Sequence, residues 1–245
     1  MRPFLAFACA HMTDERLYAH QIEALRPRYE CKVFVFREQT SMGDMAEALL
    51  AGTPARFTLV GLSLGGYVAF EVIRRQLHRL QRLVLIDTTA VADHDARRAG
   101  RYRDIATVQQ GGIDALIPEL PSRWLLPDHV HKPELTTLMA SMAHSVGARG
   151  QFNQQTAMLG RPDSHADLRR VNVPTLLICG RQDPVTPVAD HEAMSACVSG
   201  SRLDVIENCG HLSTIEQPEA VTQCLDEWLH ATDGQTNDIA IKEDP

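Results

Sequence analysis

One serine in the sequence has neighbours that suit it for nucleophilic chemistry. Ser63 lies in Gly61-Leu62-Ser63-Leu64-Gly65, between the apolar run R-F-T-L-V and a helix-like pattern. This is the G-x-S-x-G pattern of a nucleophile elbow, a strained strand-to-helix turn that exposes the serine Oγ, and its glycines avoid steric collisions in that turn. The pattern predicts a nucleophile at Ser63, with the backbone N–H of Leu64 directed towards a developing oxyanion. A structural Gly-rich turn is the alternative.

A serine hydroxyl becomes a good nucleophile only when a general base takes its proton, and His211 is the best candidate for that base. It lies in N-C-G-H-L-S, after the apolar run R-L-D-V-I-E and before a helix that Pro218 opens. Four other histidines lie in polar, helix-like contexts that favour solvated side chains: His78, His94, His191 and His230. Four more could line a pocket but are expected mainly on the surface: His129, His131, His144 and His165.

A carboxylate must orient the base and stabilise its imidazolium form. Asp183 follows the apolar run T-L-L-I-C-G, within G-R-Q-D-P-V-T-P, whereas Asp87 ends the run L-V-L-I-D. Both lie at the carboxyl end of a predicted strand, where functional groups collect in open α/β sheets. Asp183 is favoured because it gives the chain order Ser, Asp, His. For either residue, a turn or capping role is the alternative.

Short apolar runs alternate with helix-like segments along the chain. The predicted strands are 4–9, 32–36, 57–62, 82–87, 175–180 and 202–207, and the predicted helices are 15–25, 42–50, 64–77, 188–198 and 218–230. Most strands are apolar at nearly every position, as expected for strands that are buried on both faces of a parallel sheet. This alternation predicts an α/β fold with an open, mostly parallel sheet of about six strands, flanked by helices.

One long interval interrupts this alternation. Residues 89–168 contain no convincing strand but several helix-like blocks, and a structureless loop of that length is improbable in a compact domain. We therefore predict a helical cap at 89–168, inserted after the strand that ends at Asp87 into a core of residues 1–88 and 169–231. The polar tail 232–245 is predicted to be disordered.

Three separated motifs resemble the α/β-hydrolase superfamily. They are G-L-S-L-G-G-Y-V-A-F-E-V, L-L-I-C-G-R-Q-D-P-V-T-P and I-E-N-C-G-H-L-S-T-I-E-Q-P-E-A-V, and the likeness extends from residue 3 to about 230. The resemblance implies a triad of Ser63, His211 and Asp183, with a cap inserted after the sixth strand of the family's sheet. A serine nucleophile disfavours the branches of the family that use an aspartate nucleophile.

The chain departs from that family after the first predicted strand. Many relatives carry His-Gly there, in a loop that supplies the second oxyanion amide, whereas F-L-A-F is followed here by Ala8-Cys9-Ala10-His11. By position, the backbone N–H of His11 becomes the expected second donor. The Gly-rich loop of many relatives is replaced by R-E-Q-T-S-M-G-D. The antiparallel hairpin that begins many relatives is not expected here.

Composition narrows the class of protein. The net charge of −7 over 245 residues argues against a nucleic-acid surface, which needs clustered Lys and Arg. The six scattered cysteines indicate neither a disulfide framework nor a zinc site. No apolar stretch approaches the roughly 20 residues of a membrane span. The N-terminal M-R-P-F-L-A-F-A-C-A is a weak match to a signal peptide but fits a first buried strand, so a cytoplasmic protein is expected.

The expected function is hydrolysis of an ester or related acyl bond through an acyl-enzyme on Ser63. Neither metal nor cofactor is needed, and the protein is expected to be a monomer or small homo-oligomer. Candidate pocket residues in the predicted cap are Trp124, Leu125, Leu126, Met139, Met142 and Met158, which suggest a small, mostly apolar substrate. Lactones and C–C bonds remain alternatives because a fold does not determine a substrate. A ligand-binding or signalling protein with vestigial turnover is an alternative of another class.

Overall fold

The computed structural model describes residues 2–233, and its centre is a parallel sheet. The strands are β1 (Phe4–Ala8), β2 (Glu30–Phe34), β3 (Phe57–Leu62), β4 (Leu80–Ile86), β5 (Thr175–Gly180) and β6 (Arg202–Ile206). They form a six-stranded sheet in the order β2-β1-β3-β4-β5-β6, and every neighbouring pair is parallel. The predicted fold class is therefore confirmed.

Helices connect the strands in the alternation that the sequence predicts. They are α1 (Ala19–Leu25), α2 (Met42–Ala51), α3 (Leu64–Gln76), α4 (Asp95–Gly111), α5 (Leu120–Trp124), α6 (Pro133–Leu159), α7 (His165–Leu168), α8 (Val188–Cys197), α9 (Ser213–Glu216) and α10 (Pro218–Ala231). The predicted helix at 15–25 begins as a 3₁₀ turn, Glu15–Tyr18, before α1.

The second strand begins and ends two residues earlier than predicted. The apolar run at its carboxyl end suggested 32–36, but pairing with β1 starts at Phe4 opposite Glu30 and ends at Ala8 opposite Phe34. Because β2 is an edge strand, its side chains are only partly buried, so an apolar run does not mark its limits. Phe36 is buried beyond the strand.

The central strands are buried on both faces because helices cover each side of the sheet. All six residues of β3 and of β5 are buried. Alternate side chains of the strands point to two separate cores, one shared with α1 and α10 and the other with α2, α3 and α8. Both faces of the sheet are therefore occupied by packing, which leaves the carboxyl ends of the strands as the place for a polar site.

Residues 87–174 connect β4 to β5, and we call them the inserted segment. This stretch is described throughout and contains the helices α4 to α7 but no strand. Within α6, Gly147 has a positive φ of 71°, which kinks the helix. The Trp124 carbonyl and Gln154 Oε1 accept hydrogen bonds from the backbone N–H groups of His211 and Met12, in the loops that follow β6 and β1. The inserted segment is thus joined to the carboxyl edge of the sheet.

The chain after α10 is described only as far as residue 233. Arg82 is almost fully buried and donates to the Thr232 carbonyl at 3.1 Å and to Asp233 Oδ1 at 2.6 Å. The remainder of the tail that was predicted to be disordered, 234–245, lies outside the described residues. Within residues 2–233, no helix combines the length and the apolar character that crossing a membrane requires.

Candidate active site

Ser63 occupies the sharp turn between β3 and α3. Its backbone has φ 52° and ψ −109°, a conformation that costs a non-glycine residue free energy and is found where surrounding structure enforces it. The enforcing contacts include a hydrogen bond from the Ser63 N–H to the Ile86 carbonyl at 3.0 Å. A Cβ on Gly65 would lie 2.0 Å from the Ala8 carbonyl oxygen, and one on Gly61 would lie 2.4 Å from that of Gly65. The turn therefore requires both glycines of the motif.

Three side chains from three different loops meet at this turn. His211, in the loop after β6, has Nε2 3.0 Å from Ser63 Oγ. Its Nδ1 lies 2.8 Å from Asp183 Oδ2, in the loop after β5. All three residues are buried. The arrangement allows Nδ1–H to donate to the carboxylate while Nε2 accepts the serine proton, which is the geometry that serine nucleophiles need.

The carboxylate of Asp183 is held by donors on both oxygens. Oδ1 accepts from the backbone N–H of Val185 at 2.7 Å and of Thr186 at 3.0 Å, and Oδ2 accepts from Thr186 Oγ1 at 2.6 Å. Burial alone would raise the pKa of Asp183, but the charge of His211 and these hydrogen bonds bring it below its ordinary value. Asp183 therefore stays ionised.

His211 responds to the same environment in the opposite direction. Burial disfavours its charged form, but the charge of Asp183 and the hydrogen bond to it raise the pKa of His211 above its ordinary value. The ionised carboxylate of Asp183 therefore stabilises the protonated form of His211, which arises when His211 accepts a proton.

Asp87, the rival acid, links two loops and does not contact the base. Its Oδ1 accepts from the Gly180 N–H and its Oδ2 from the Ser213 N–H, both at 3.0 Å. Burial, together with the nearby charge of Asp183, raises the pKa of Asp87 to about 8. Its hydrogen bonds join the ends of β4 and β5 to the segment after His211, so its contacts are those of a structural residue.

The two predicted oxyanion donors lie beside Ser63. Leu64 is the first residue of α3, and His11 lies three residues beyond the end of β1. In the described part of the chain, neither backbone N–H donates to a backbone carbonyl. Leu64 follows the cavity-lining Ser63, and His11 lines the same cavity. Their role as oxyanion donors stays a prediction.

The side chain of His11 is clamped by α6. Nδ1 lies 2.8 Å from Gln154 Oε1, and Nε2 lies 3.2 Å from Gln155 Nε2. Gln154 Oε1 also accepts from the Met12 N–H at 2.9 Å, and its Nε2 donates to the Phe36 carbonyl at 2.7 Å. Burial and then the charge of Arg101 lower the pKa of His11 to about 3. The loop with Cys9-Ala10 in place of His-Gly is therefore held by a neutral imidazole.

Ser63 and His211 line a cavity of about 560 Å³ between the sheet and the inserted segment. Of the six predicted pocket residues, Trp124 and Met158 line this cavity, whereas Leu126 does not. Leu125, Met139 and Met142 do not line it either. These three are buried in the core that contains one face of the sheet. Their apolar character reflects attachment of the inserted segment to that core, so this part of the pocket prediction is wrong.

Comparison with known proteins identifies the family of this chain. A profile of the Alpha/beta hydrolase family matches residues 20–223. The chain belongs to the α/β-hydrolase family. It is 26% identical over 235 residues to 3-oxoadipate enol-lactonase 1 of Acinetobacter baylyi, covering 90% of this chain and 86% of that protein. It is 28% identical over 196 residues to a pimeloyl-[acyl-carrier protein] methyl ester esterase of Nitrosomonas europaea, covering 76% of each chain.

A solved structure gives the same result for the fold. A thermophilic esterase from Thermogutta terrifontis superposes on this α/β hydrolase with a TM-score of 0.85 and 29% sequence identity, over 94% of this chain and 90% of that one. The family assignment is consistent with the six-stranded parallel sheet and with a serine at the elbow after β3. This protein is therefore an α/β hydrolase in both sequence and fold.

Sequence reasoning missed the polar side of the hydrolase cavity. Four arginines line it: Arg97, Arg101, Arg103 and Arg123. Three of them come from α4, whose sequence A-R-R-A-G-R-Y-R-D contained a signal, because Arg97 and Arg101 are four residues apart and so share one helix face. The expectation of a mostly apolar pocket considered only the apolar side chains of the segment.

Two histidines also differ from expectation. His191, predicted to be solvated, is fully buried in α8. Its Nε2 accepts a hydrogen bond from the Thr88 N–H at 3.1 Å, and burial lowers its pKa to about 4. His129 is buried as well, with Nδ1 2.9 Å from Glu216 Oε2. Both side chains are buried between secondary-structure elements and form hydrogen bonds there. The polar residues next to them in the sequence do not indicate this burial.

The base loop of this hydrolase is tied directly to the inserted segment. The His211 N–H donates to the Trp124 carbonyl at 2.7 Å, and Glu216 Oε2 accepts from the Leu126 N–H at 2.8 Å. The six cysteines are free. In residues 2–233, His, Cys, Asp and Glu side chains form no group of three or more that could hold a metal ion. The absence of a cofactor and the oligomeric state stay predictions.

Proposed function

We propose that this α/β hydrolase cleaves a carboxylic ester through an acyl-enzyme on Ser63. The observation that carries the proposal is the hydrogen-bonded chain from Asp183 through His211 to Ser63, which begins in the interior and ends at the cavity. A catalytic nucleophile needs its base within hydrogen-bonding reach and that base oriented by a third group. The contact between His211 Nε2 and Ser63 Oγ meets the first requirement, and the contact between His211 Nδ1 and Asp183 Oδ2 meets the second.

The reaction proceeds in two halves. His211 Nε2 takes the proton of Ser63 as Oγ attacks the ester carbonyl, and the N–H groups of Leu64 and His11 stabilise the oxyanion. His211 then gives the proton to the leaving alkoxide, so that the alcohol departs and the acyl group stays on Ser63. In the second half, His211 activates water, which releases the acid and restores the serine. Asp183 holds the tautomer in which Nε2 is the proton acceptor.

We also propose that residues 89–168, within the inserted segment, act as a cap over this site. Its residues Trp124 and Met158 line the cavity, and its helix α6 holds the loop that carries His11. A cap of this kind would select substrates by shape and keep bulk water from the acyl-enzyme.

A lactone is the second candidate substrate. This candidate is supported by the relative named 3-oxoadipate enol-lactonase 1, to which 90% of this chain aligns. The same residues would act, because a lactone is an intramolecular ester whose alcohol stays attached to the acyl group. Hydrolysis of C–C bonds and ligand binding without turnover are the remaining alternatives, and the experiment below separates them from ester cleavage.

Ester hydrolysis is tested by comparing the wild-type protein with the Ser63→Ala variant on p-nitrophenyl esters of several acyl lengths. We expect turnover by the wild type and a loss of at least about 10⁴-fold in kcat for the variant, since the triad acts as a unit. The exposed Ser199 provides the matched control, and Ser199→Ala should retain wild-type activity. A serine-directed phosphonate should form a single adduct on Ser63, located by mass spectrometry.

Two results would contradict the proposal. Full activity of Ser63→Ala would exclude the mechanism. No turnover at any acyl length, together with no phosphonate adduct, would favour a binding protein on the hydrolase scaffold.

A further inference from the structure

Part of the wall of the cavity that Ser63 lines is rich in positive charge. Helix α4 contributes Arg97, Arg101 and Arg103, and the end of α5 contributes Arg123. Asp104 is the only carboxylate among the cavity-lining residues within the described chain. This excess is local, because the protein as a whole has a net charge of −7. A positive cavity in a negative protein concentrates anionic ligands at that site.

Two of the four arginines have structural partners. Arg101 forms an ion pair with Asp93, and Arg161 shares the same carboxylate at 2.8 Å, so two guanidinium groups are balanced by one negative charge. Arg123 pairs with Asp104 at 2.8 Å and with Glu119. These contacts explain why Arg101 and Arg123 are present without any need for a ligand.

The other two arginines are different. Within residues 2–233, neither Arg97 nor Arg103 forms an ion pair. Arg97 donates to the Val185 carbonyl at 2.8 Å, in the loop that follows the triad residue Asp183. Arg103 is exposed at the cavity. A guanidinium presents five donors in a planar fork that matches a carboxylate, so the one side-chain hydrogen bond that Arg97 donates leaves most of its capacity unused.

We propose that the substrate of this hydrolase carries a carboxylate in addition to the scissile ester, and that Arg97 and Arg103 bind this carboxylate while Ser63 attacks the ester. The inference rests on the proposed ester hydrolysis and names the class of ester. The cavity volume of about 560 Å³ lies within the range of small-molecule sites. One end of the substrate is held at Ser63 and the other at α4, which aligns the ester with the nucleophile.

The first test compares neutral and anionic esters of equal chain length. Monomethyl esters of dicarboxylic acids from succinate to suberate, each paired with the methyl ester of the matching monocarboxylic acid, place the carboxylate on the acyl side. The pair 4-acetoxybutanoate and butyl acetate places it on the alcohol side. We expect kcat/KM to favour the anionic member of at least one pair by about 10- to 100-fold, as for one charge-assisted hydrogen-bonded pair. This preference should shrink as salt is added.

The second test assigns the preference to the two arginines. In the double variant Arg97→Gln, Arg103→Gln, the ratio of kcat/KM for the anionic to the neutral ester should fall about 10- to 100-fold. Arg98→Gln is the matched control, because Arg98 is on the same helix but is exposed and does not line the cavity. Its ratio should stay within twofold of the wild-type ratio.

A binding measurement separates the carboxylate site from turnover. Calorimetry with the Ser63→Ala variant and the preferred monomethyl ester, or monomethyl adipate if no ester is cleaved, should show binding that the added double substitution weakens about 10- to 100-fold. Equal or better cleavage of neutral esters by the wild type would overturn the proposal, as would an unchanged ratio in the double variant. If no ester is cleaved, the proposed function fails, and weakened binding in the double variant still supports the carboxylate site while unchanged binding overturns it.

Discussion

Replacing Asp183 by asparagine should stop catalysis by changing the tautomer of His211. The two backbone N–H groups of Val185 and Thr186 donate to Oδ1 of Asp183 at 2.7 and 3.0 Å. In the asparagine variant these amides require an acceptor, so the side-chain oxygen takes the Oδ1 position. The NH₂ group then faces His211 Nδ1, which must accept. The proton moves to Nε2, and Nε2 can no longer take the proton of Ser63.

The hydrogen bonds to Asp183 also indicate how large the loss of kcat should be. Rotating the asparagine so that its oxygen faces His211 would leave two backbone donors facing an NH₂ group, at a cost of about 1–3 kcal/mol for each unsatisfied group. The inactive tautomer should therefore dominate. A serine enzyme with its base in the wrong tautomer loses about 10⁴-fold in kcat, which corresponds to about 5 kcal/mol in the activation free energy.

The assay is steady-state hydrolysis of the best p-nitrophenyl ester, with circular dichroism to show that each variant is folded. Asp87→Asn is the matched control, because it removes a carboxylate from the same buried region without a contact to His211. It should lower thermal stability, since either the Gly180 or the Ser213 N–H loses its acceptor, but should reduce kcat by no more than about 10-fold. A 10⁴-fold loss in Asp87→Asn with an active Asp183→Asn would refute the assignment of the acid.

Three further predictions concern the base, the elbow and the oxyanion loop. Because His211 must be neutral to accept a proton and its pKa is raised, kcat/KM should fall as the pH drops through a midpoint above about 6.5; a midpoint below that value would contradict the Asp–His coupling. Gly65→Ala places a Cβ 2.0 Å from a carbonyl oxygen of β1, whereas Gly160→Ala meets no atom within 4 Å. Urea denaturation should show a loss of about 1–3 kcal/mol for the first substitution only. Gln154→Leu removes the acceptor that orients the His11 loop, so kcat should fall about 10- to 100-fold with little change in KM. An unchanged kcat would mean that the loop keeps its conformation without this contact.

The sequence by itself determined the fold class and singled out Ser63 and His211 as the candidate nucleophile and base. Each of these depends on a local pattern. Strands buried on both faces must be apolar throughout, so β3 and β5 were visible as apolar runs with limits that the structure reproduces. The turn at Ser63 tolerates only glycine at two fixed positions, and it therefore leaves a local motif.

Tertiary structure decided which carboxylate contacts His211 and which other residues surround the site. Met139 and Met142 were expected in the pocket but are buried in the core, because an apolar side chain on an amphipathic helix does not indicate which apolar surface it contacts. The choice between Asp183 and Asp87 depended on distances between loops that are far apart in the chain. The arginines of α4 reach the cavity only because the inserted segment is attached above the carboxyl edge of the sheet. Local requirements for backbone conformation and burial restrict the residue types at nearby positions, so they can be recognised in a sequence. The direction in which a helix face points depends instead on packing between distant segments.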